Sequence, residues 1–277
     1  MRLANVQGRA ALVVDGRLVD VEQASGGRLP SDPMALIPQL DAARDLHVRA
    51  DAPIADEMRL GPPVPRPSKI LAIGLNYRSH AEEAGLTPPD EPVVFAKLPS
   101  AIAGATDDIV IPPGRMRIDW EAELVVVIGR RGRRIPAEQA WAHVAGVTCG
   151  QDVSDREEQF RALRQFTMAK SFDTYAHIGP VLVTPDELEH PDDLAVRCRI
   201  DGEEVQSSRT NDLIFPVSEL IAWTSRICTL EPGDLIFTGT PGGVGDSRQP
   251  PRYLRPGNVV ETEIEGVGVM RNRVVEG

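Results

Sequence analysis

The chain has few cysteines and no long apolar run. Its three cysteines, Cys149, Cys198 and Cys228, are scattered, odd in number and without the spacing of a metal site. This argues against a disulfide framework and favours a reduced compartment, with the cysteines as small core residues. No apolar run approaches the roughly 20 residues of a membrane span. Residues 1–7 also lack the apolar core of a signal peptide. We therefore expect a cytoplasmic protein without a membrane partner.

An excess of basic residues is also missing. The chain carries 41 acidic and 30 basic residues, which gives a formal charge of −11. This argues against general nucleic-acid binding, because such binding needs a basic surface. The densest basic run, residues 130–134, is typical of a solvated turn, and a specific anion site is the alternative. The hydrophobic fraction of 42% and the charged fraction of 26% are those of a soluble globular protein.

The first part of the chain predicts a small structural unit. The dipeptide Asp15-Gly16 suits a type I′ turn and predicts a β-hairpin. Pro33, directly after Asp32, predicts the start of a helix. Four prolines within residues 61–67 then predict a stiff linker. We therefore divide the chain into a small N-terminal domain and a larger domain, residues 1–66 and 67–277, and a long loop inside one domain is the alternative.

The second part alternates short strands with a few helices. The pattern predicts strands at residues 69–74, 93–97, 108–111, 118–128, 145–149, 181–184, 195–200, 235–238 and 259–265. It predicts helices at residues 77–84, 136–143, 154–164 and 216–228. The spacing of the strands is too irregular for a doubly wound sheet or a (β/α)₈ barrel. It favours a mixed, β-rich α+β fold.

Two glutamates stand at the head of an apolar run within predicted strand 118–128. Residues two apart on a strand face the same way, so Glu121 and Glu123 project from one face about 6.6 Å apart. Val125 and Val127 continue that face, and we expect it to turn inward. Buried carboxylates need protons or a cation, and a divalent metal is the simplest solution. A frayed strand end with both glutamates in solvent is the alternative.

Asp152 supplies a third carboxylate. It falls where a predicted buried strand gives way to a helix, and side chains at strand ends point into the clefts where ligands bind. Three carboxylates leave open positions on an octahedral ion, as a catalytic Mg²⁺ site requires. The alternative for Asp152 is a helix N-cap. Asp119 shares the strand face of the glutamates, and the spacing leaves it open as a fourth ligand.

His80 and Glu83 form a second candidate pair. Both lie in predicted helix 77–84, where residues three apart are neighbours. A carboxylate beside an imidazole orients the ring and favours its protonated form. This arrangement is expected of a general base that takes a proton from water. A surface ion pair on a short helix is the alternative.

A glycine-rich segment, residues 238–245, follows the predicted strand that begins at Leu235. Its glycines let backbone N–H groups approach an anion closely. It is not a P-loop, because it lacks the Gly-Lys-Ser/Thr ending. We expect a carboxylate-binding loop, and a tight structural turn is the alternative.

Five motifs in the chain resemble those of the fumarylacetoacetate hydrolase family. They are Gly74-Leu75-Asn76-Tyr77 running to His80 and Glu83, Asp119-Trp120-Glu121-Ala122-Glu123, Gln151-Asp152-Val153-Ser154, Ala169-Lys170-Ser171-Phe172-Asp173-Thr174, and Gly239-Thr240-Pro241-Gly242-Gly243-Val244-Gly245. They occur in the family's order across residues 69–270 and are highly specific as a set. Residues 1–66 resemble the small β-containing module that precedes the catalytic domain in many members.

This resemblance implies a fold and a cofactor. The fold is a distorted β-roll, or β-sandwich, catalytic domain behind a small N-terminal domain, usually in a homodimer. The cofactor is Mg²⁺, or sometimes Mn²⁺ or Ca²⁺, bound by Glu121, Glu123 and Asp152.

The resemblance also implies roles for single residues. His80 and Glu83 become a catalytic dyad on a segment that orders over substrate, and Lys170 becomes the active-site lysine. The positions that contact a 2-oxo-carboxylate in the family are matched by Arg156, Gln159 and Thr240. Two features depart from the family pattern, namely His177, where many members have a non-titrating residue, and the basic segment 115–117.

The activity implied is that of an enzyme for acylpyruvate-like 2-oxo-carboxylates. Hydrolysis of a C–C bond, by water that His80 and Glu83 activate, is the expected reaction. Isomerisation of 2-hydroxymuconate-type diacids, as in aromatic catabolism, and decarboxylation of oxaloacetate-type acids use the same metal-held enolate. They stay open as alternatives, because a fold does not choose among them. A 2-oxoacid-binding protein without turnover is the non-enzyme alternative.

Overall fold

β-strands make up most of the regular structure in the computed structural model, which describes residues 1–44, 46, 60–161 and 165–277. The strands are β1 (Arg2–Val6), β2 (Arg9–Val14), β3 (Arg17–Asp20), β4 (Leu60–Gly61), β5 (Ile70–Gly74), β6 (Val93–Lys97), β7 (Ile102–Ala103), β8 (Ile109–Ile111), β9 (Ile118–Asp119), β10 (Ala122–Ile128), β11 (Val144–Asp152), β12 (Ser154–Asp155), β13 (Ala176–Val183), β14 (Ala195–Ile200), β15 (Glu203–Arg209), β16 (Leu235–Phe237), β17 (Val259–Ile264) and β18 (Gly268–Glu276).

Helices are few and short. The α-helices are α1 (Val21–Ala24), α2 (Pro33–Leu36), α3 (Leu40–Arg44), α4 (Arg78–Glu83), α5 (Arg156–Arg161), α6 (Phe166–Ala169) and α7 (Val217–Ile227). Single 3₁₀ turns or short 3₁₀ helices cover Ile37–Gln39, Pro99–Ala101, Ala137–His143, Pro185–Glu187 and Thr210–Asp212. In the described part of the chain, no helix has both the length and the apolar character needed to cross a membrane.

Three sheets organise these strands, and the smallest consists of β9 and β12 alone. The large sheet has the order β3-β2-β1-β13-β11-β10-β16-β5-β6, and β4 and β7 pair with β1 and β13. The second sheet has the order β15-β14-β17-β18-β8, and it packs against β10, β11 and β13. Most pairings are antiparallel, whereas β16 and β5 run parallel. This mixed, strand-rich architecture confirms the predicted α+β fold class.

Strand β10 lies between two hydrophobic cores. Leu124 and Val126 pack into the core beneath the second sheet. Val125 and Val127 pack into a second core, on the opposite face of β10, together with Phe237. Because both faces of the strand are covered, its apolar run is continuous rather than alternating with polar residues. Glu123 shares the face of Val125 and Val127, so its carboxylate is directed into the protein, as predicted.

The N-terminal residues continue the large sheet. Asp15 and Gly16 both have positive φ angles, of 48° and 74°, which confirms the type I′ hairpin between β2 and β3. Helix α2 begins at Pro33 as predicted, and the Asp32 side chain caps it by accepting a hydrogen bond from the N–H of Met34. β1 pairs with β13, and Leu3 and Leu36 share the second core. The division into domains 1–66 and 67–277 stays a prediction.

The predicted strand 118–128 is broken in the structure. β9 ends at Asp119 and pairs with β12, and β10 begins only at Ala122. At the break, side-chain oxygen atoms accept the hydrogen bonds of the backbone N–H groups. The Asp119 carboxylate accepts from the N–H of Trp120, and the side-chain oxygen of Gln151 accepts from the N–H of Glu121. These bonds replace the backbone hydrogen bonds that a neighbouring strand would provide. The prediction of one continuous strand over residues 118–128 was therefore wrong.

Two helix predictions also need correction. Residues 137–143 form a 3₁₀ helix instead of an α-helix. The predicted helix 154–164 begins later, at Arg156, and Asp155 caps it, because the Asp155 carboxylate accepts from the N–H groups of Glu157 and Glu158 at 2.9 and 3.1 Å. The predicted end of this helix, at residue 164, lies outside the described residues. The predicted helix 216–228 is confirmed as α7.

His177 is a buried histidine on β13. Its Nε2 lies 3.2 Å from the carbonyl oxygen of Asp107, and its Nδ1 has no partner among the described residues. Burial lowers the pKa of His177 from 6.5 to about 4. The ring is therefore neutral at pH 7, and it is fully buried.

This buried imidazole should make the protein sensitive to acid. The unfolded chain takes up the proton first as the pH falls, so stability is lost from pH 6.5 down to about 4. Between about pH 7.5 and about pH 5, we expect His177 to reduce the free energy of unfolding by about 2 kcal/mol. Urea unfolding of the His177→Gln variant at the two pH values should show a smaller difference than the native protein. The control is His190→Gln, since the His190 side chain is 75% exposed. Equal pH dependence in all three proteins would contradict this assignment.

Candidate active site

Three carboxylates meet where β10 and β11 lie side by side. One oxygen from each of Glu121, Glu123 and Asp152 lies within 4.8 Å of the other two, and all three residues are buried. The strands are antiparallel, and Glu123 pairs with Gly150, so the start of β10 lies beside the end of β11. Asp152 is the last residue of β11 rather than a helix N-cap. The sequence prediction that these three side chains converge agrees with this geometry.

Two lysines are inserted among the carboxylates. Lys170 Nζ lies 2.7 Å from Glu121 and 2.8 Å from Asp152. Lys97 Nζ lies 2.5 Å from the other Asp152 oxygen and donates to the carbonyl oxygen of Lys170. Asp152 is thus held by two ammonium groups. Glu123 is different, because its carboxylate accepts a hydrogen bond from a backbone group, the N–H of Gly239, at 2.8 Å.

Lys97 is a member of the cluster that sequence reasoning missed. It ends β6, whose other residues are Val93, Val94, Phe95 and Ala96, and its side chain is fully buried. A charged residue at the end of an apolar strand was the signal that identified Asp152. The same argument applied to β6 would have found Lys97.

The ionisation of the cluster follows from these contacts. Burial, with the nearby charges of Asp152 and Glu121, raises the pKa of Glu123 well above its usual value. Burial acts in the same sense on Glu121, yet the charges of Lys170 and Arg156 outweigh it and lower the pKa of Glu121 to about 2. Burial also opposes the charge on Lys170, but Asp152 and Glu121 raise its pKa, so Lys170 is an ammonium.

This donor set fits a divalent cation. The three carboxylates are buried hard oxygen donors at distances that one ion can bridge. Burial and the charges of Asp152 and Glu121 raise the pKa of Glu123 in particular. A bound cation would favour the ionised form of this carboxylate.

Asp119 is not one of the converging carboxylates. Its oxygens bind the guanidinium of Arg156 at 2.7 and 2.8 Å and accept from the N–H groups of Gly245 and Asp246 at 2.7 and 2.9 Å. Its hydrogen-bonding capacity is thus taken up by the protein. The geometry favours a structural role for Asp119 over the role of fourth ligand.

The three predicted substrate-binding residues border the cluster. Arg156 Nη1 lies 2.8 Å from a Glu121 oxygen and donates to the Gln159 side chain at 2.8 Å. The Thr240 hydroxyl donates to the carbonyl oxygen of Ala122 at 2.9 Å. These side chains are therefore already held in place by the protein. The basic segment 115–117 is likewise paired, with Arg115 on Asp155 at 3.2 Å and Arg117 on Asp246 at 2.7 Å.

The glycine-rich loop binds carboxylates that belong to the chain itself. Backbone N–H groups of Gly239, Gly243 and Gly245 donate to Glu123, Glu83 and Asp119. Gly243 has a φ of +98°, and a Cβ atom there would lie 2.1 Å from the carbonyl oxygen of Val205. Glycine is thus required for the close approach. The loop thus binds carboxylate side chains of the chain itself, and binding of a substrate carboxylate stays a prediction.

Helix α4 brings His80 and Glu83 together beside this loop. His80 Nδ1 lies 3.4 Å from a Glu83 oxygen, and both Glu83 oxygens lie 3.0 Å from the N–H of Gly243. The hydrogen bond from His80, and that from Gly243, lower the pKa of Glu83, although burial opposes them. The pair is 17% and 29% exposed. The loop anchors Glu83, which makes the pair more than a freely solvated surface contact.

A family model described as fumarylacetoacetate (FAA) hydrolase C-terminal matches residues 69–275. The chain belongs to the fumarylacetoacetate hydrolase family. The family and the fold that the motifs implied are therefore confirmed. The chain is an enzyme of this superfamily, whose members bind divalent metals.

Relatives within the family have several activities. The mitochondrial oxaloacetate tautomerase FAHD2A of Bos taurus is 49% identical over 77% of this chain and 68% of its own length. A structure described as HpcE from Mycobacterium smegmatis is 48% identical, covers 100% of both chains and has a TM-score of 0.93. Maleylpyruvate hydrolase from Sphingobium sp. SYK-6, in complex with manganese(II) and pyruvate, is 30% identical, covers 100% of both chains and has a TM-score of 0.83.

One sequence prediction is overturned by these relatives. The FAHD2A proteins of Bos taurus and Homo sapiens are both mitochondrial. The cytoplasmic location expected from the scattered cysteines was therefore wrong. Reduced cysteines are small core residues in either compartment, so they do not distinguish the two.

The structural role of Asp119 can be tested with one substitution. The Asp119→Asn variant leaves the buried Arg156 guanidinium without its main partner, and we expect a loss of about 3 kcal/mol in the free energy of unfolding. Mn²⁺ should still bind with native stoichiometry in a titration. The control is Asp108→Asn, because Asp108 forms an exposed pair with Arg273 at 3.1 Å. A variant of native stability that had lost Mn²⁺ binding would instead make Asp119 the fourth ligand.

Proposed function

We propose that this chain is a divalent-metal-dependent enzyme that tautomerises 2-oxo dicarboxylates such as oxaloacetate. The observation that carries the proposal is the cluster of Glu121, Glu123 and Asp152. The Lys170 ammonium forms ion pairs with Glu121 and Asp152 in this cluster. Such a cluster suits an enolate that forms beside a carboxylate. The identity of 49% with an oxaloacetate tautomerase supports this reaction over the C–C hydrolysis that was expected from the motifs.

In this proposal Glu121, Glu123 and Asp152 hold Mg²⁺, with Mn²⁺ or Ca²⁺ as alternatives. When bound, the ion supplies a Lewis acid that polarises the 2-oxo group and lowers the barrier to enolisation. Manganese(II) together with pyruvate in a 30% identical structure supports a site for a metal and a 2-oxo-carboxylate.

Lys170 and Arg156 supply fixed positive charge in the proposed reaction. Lys170 has a raised pKa, so it acts as an ammonium that stabilises negative charge on the substrate rather than as a base. Arg156, Gln159 and Thr240 are proposed to position the substrate carboxylate. Their bonds to Asp119, Glu121 and Ala122 hold them in one orientation before substrate arrives.

His80 is proposed as the group that moves the proton. The Glu83 carboxylate faces Nδ1 at 3.4 Å, so a proton on Nδ1 leaves Nε2 as the acceptor. In the keto-to-enol direction, Nε2 takes a proton from C3 of the substrate as the C2–C3 double bond forms and the 2-oxo C=O becomes a C–O single bond. Water then protonates this oxygen to give the enol, and His80 releases its proton to water. Gly243 anchors Glu83 and so fixes the pair against the glycine-rich loop.

Hydrolysis of acylpyruvates is the second candidate. The observation in its favour is that the His80–Glu83 pair is 17% and 29% exposed, so water can reach it. In that reaction His80 deprotonates water, which attacks the distal carbonyl, and the C–C bond to the pyruvate enolate breaks. A homodimer rests on the resemblance alone and stays a prediction.

The proposed base can be tested in both reactions. The metal-loaded protein should accelerate the conversion of enol-oxaloacetate to the keto form. The measurement is the rate at which the absorbance of the enol is lost. We expect His80→Ala to lower kcat by at least about 100-fold, because a positioned general base contributes that much. Mn²⁺ binding should be unchanged, and His190→Ala should behave as the native protein. Native turnover by His80→Ala would remove His80 from the mechanism.

Mass analysis of products from acetylpyruvate and fumarylpyruvate would identify hydrolysis if it is the true reaction.

The proposed metal ligands can be tested with two substitutions. Both should weaken Mn²⁺ binding, but they should have different effects on stability. In Glu123→Gln, a buried acid whose pKa is raised well above its usual value is replaced by a neutral amide, so we expect a metal-free protein at least as stable as the native one and Mn²⁺ binding weaker by about 100-fold. Asp152→Asn should also weaken Mn²⁺ binding, but it should lower Tm, because Lys97 and Lys170 lose their shared partner. Native Mn²⁺ affinity in both variants would place the ion elsewhere.

A further inference from the structure

A cavity of about 510 Å³ lies between helix α3 and one end of the large sheet. Leu40 and Arg44 of α3 line one side, and Arg130, His143 and Trp141 line the other. Sites for small organic ligands commonly have volumes of about 300–1,000 Å³. The cavity therefore has the size of a ligand site.

The cavity is remote from the carboxylate cluster. β10 and β11 each have one end at the cluster and the other end at the cavity, where the N–H of Gly129 donates to the carbonyl oxygen of His143 at 2.8 Å. From Glu123 to Ile128 the strand spans five residues, which corresponds to about 17 Å. A small ligand in the cavity would thus not touch the proposed metal ligands.

The charged groups that line the cavity are paired, with one exception. Arg44 binds Asp186 at 2.6 Å and lies 3.6 Å from Asp41, so the two lining carboxylates share one guanidinium. Arg131 binds Glu231 at 2.9 Å. Arg130 has neither an ion pair nor a side-chain hydrogen bond to any other residue that the structure describes, although it lies in a protein with a net charge of −11.

Apolar residues form part of the remaining wall. Trp141 contributes an aromatic surface, and Pro38, Pro185 and Pro232 contribute rigid apolar contacts. The nearby His143 ring is held by its Nδ1, which lies 3.1 Å from the carbonyl oxygen of Arg130. An exposed arginine alone is ordinary on a protein surface. Arg130, which has no ion-pair partner among the described residues, lines a concave surface together with Trp141 and three prolines, a combination that suits an anion with an apolar body.

We propose that this cavity is a second binding site, separate from the catalytic one, for a small carboxylate with an aromatic or other apolar body. Arg130 binds the carboxylate group, and Trp141 with the neighbouring prolines covers the body. The basic run at residues 130–134, predicted to be a solvated turn, thus contains one anion-binding residue. Arg133 has a different role, since it donates to the carbonyl oxygen of Ser225 in the last turn of α7 at 2.9 Å.

The test uses 4-fluorobenzoate as the probe and ¹⁹F NMR titration of the full chain as the measurement. We expect saturable binding to the native protein and at least about tenfold weaker binding to Arg130→Gln, because the charge-assisted hydrogen bond is lost. Arg131→Gln is the matched control, since the neighbouring Arg131 is already paired with Glu231. It should bind within about twofold of native. The neutral probe 4-fluorobenzamide should bind at least about tenfold more weakly than the carboxylate.

Four results would overturn the proposal. The first three are no saturable binding of the carboxylate, equal binding by the native and Arg130→Gln proteins, and equal loss of binding in both arginine variants. Displacement of the probe by Mn²⁺ and pyruvate would also overturn it, because the probe would then occupy the carboxylate cluster. The outcome is independent of the proposed tautomerase activity, since neither arginine belongs to the catalytic machinery.

Discussion

The burial of charge around Asp152 determines the arrangement of the site. Four carboxylates, from Asp119, Glu121, Glu123 and Asp152, lie in the interior of the protein. Without compensation each would cost several kcal/mol relative to water, on the order of the whole stability of a domain when summed. The chain compensates them with three buried cations, Lys97, Lys170 and Arg156, and with N–H groups of the glycine-rich loop.

This compensation ties together segments that are far apart in sequence. Lys97 ends β6, Lys170 follows α6, and Arg156 begins α5, so each cation comes from a different element. Each also contacts two groups of the site rather than one, as in the bridge of Lys170 between Glu121 and Asp152. The position of one cation therefore depends on the positions of the others. In this sense the electrostatic network, and not one strand, defines the geometry offered to a metal.

The sequence predicts the carboxylates better than it predicts their partners. Glu121, Glu123 and Asp152 could be found because strand periodicity and strand ends are local properties of a sequence. The break between β9 and β10 could not, because Gln151 provides the acceptor at this break from 30 residues away. The pairing of Asp119 with Arg156 and of the glycine-rich loop with Glu83, Glu123 and Asp119 is also long-range. Lys97 was within reach of the strand-end argument, which was applied to acidic residues alone.

In the proposed enzyme, the carboxylate cluster and helix α4 have different roles. The cluster binds the substrate, and α4 carries the base that determines which reaction follows. The cluster residues are fixed by one another, so they bind the 2-oxo-carboxylate end in the same way for tautomerisation or hydrolysis. The reactions differ in what His80 deprotonates, which is substrate carbon in one and water in the other. His80 is partly exposed and held through Glu83 to a single backbone N–H, that of Gly243. Selection between the two reactions therefore belongs to α4 and to the access of water along it, and not to the metal ligands.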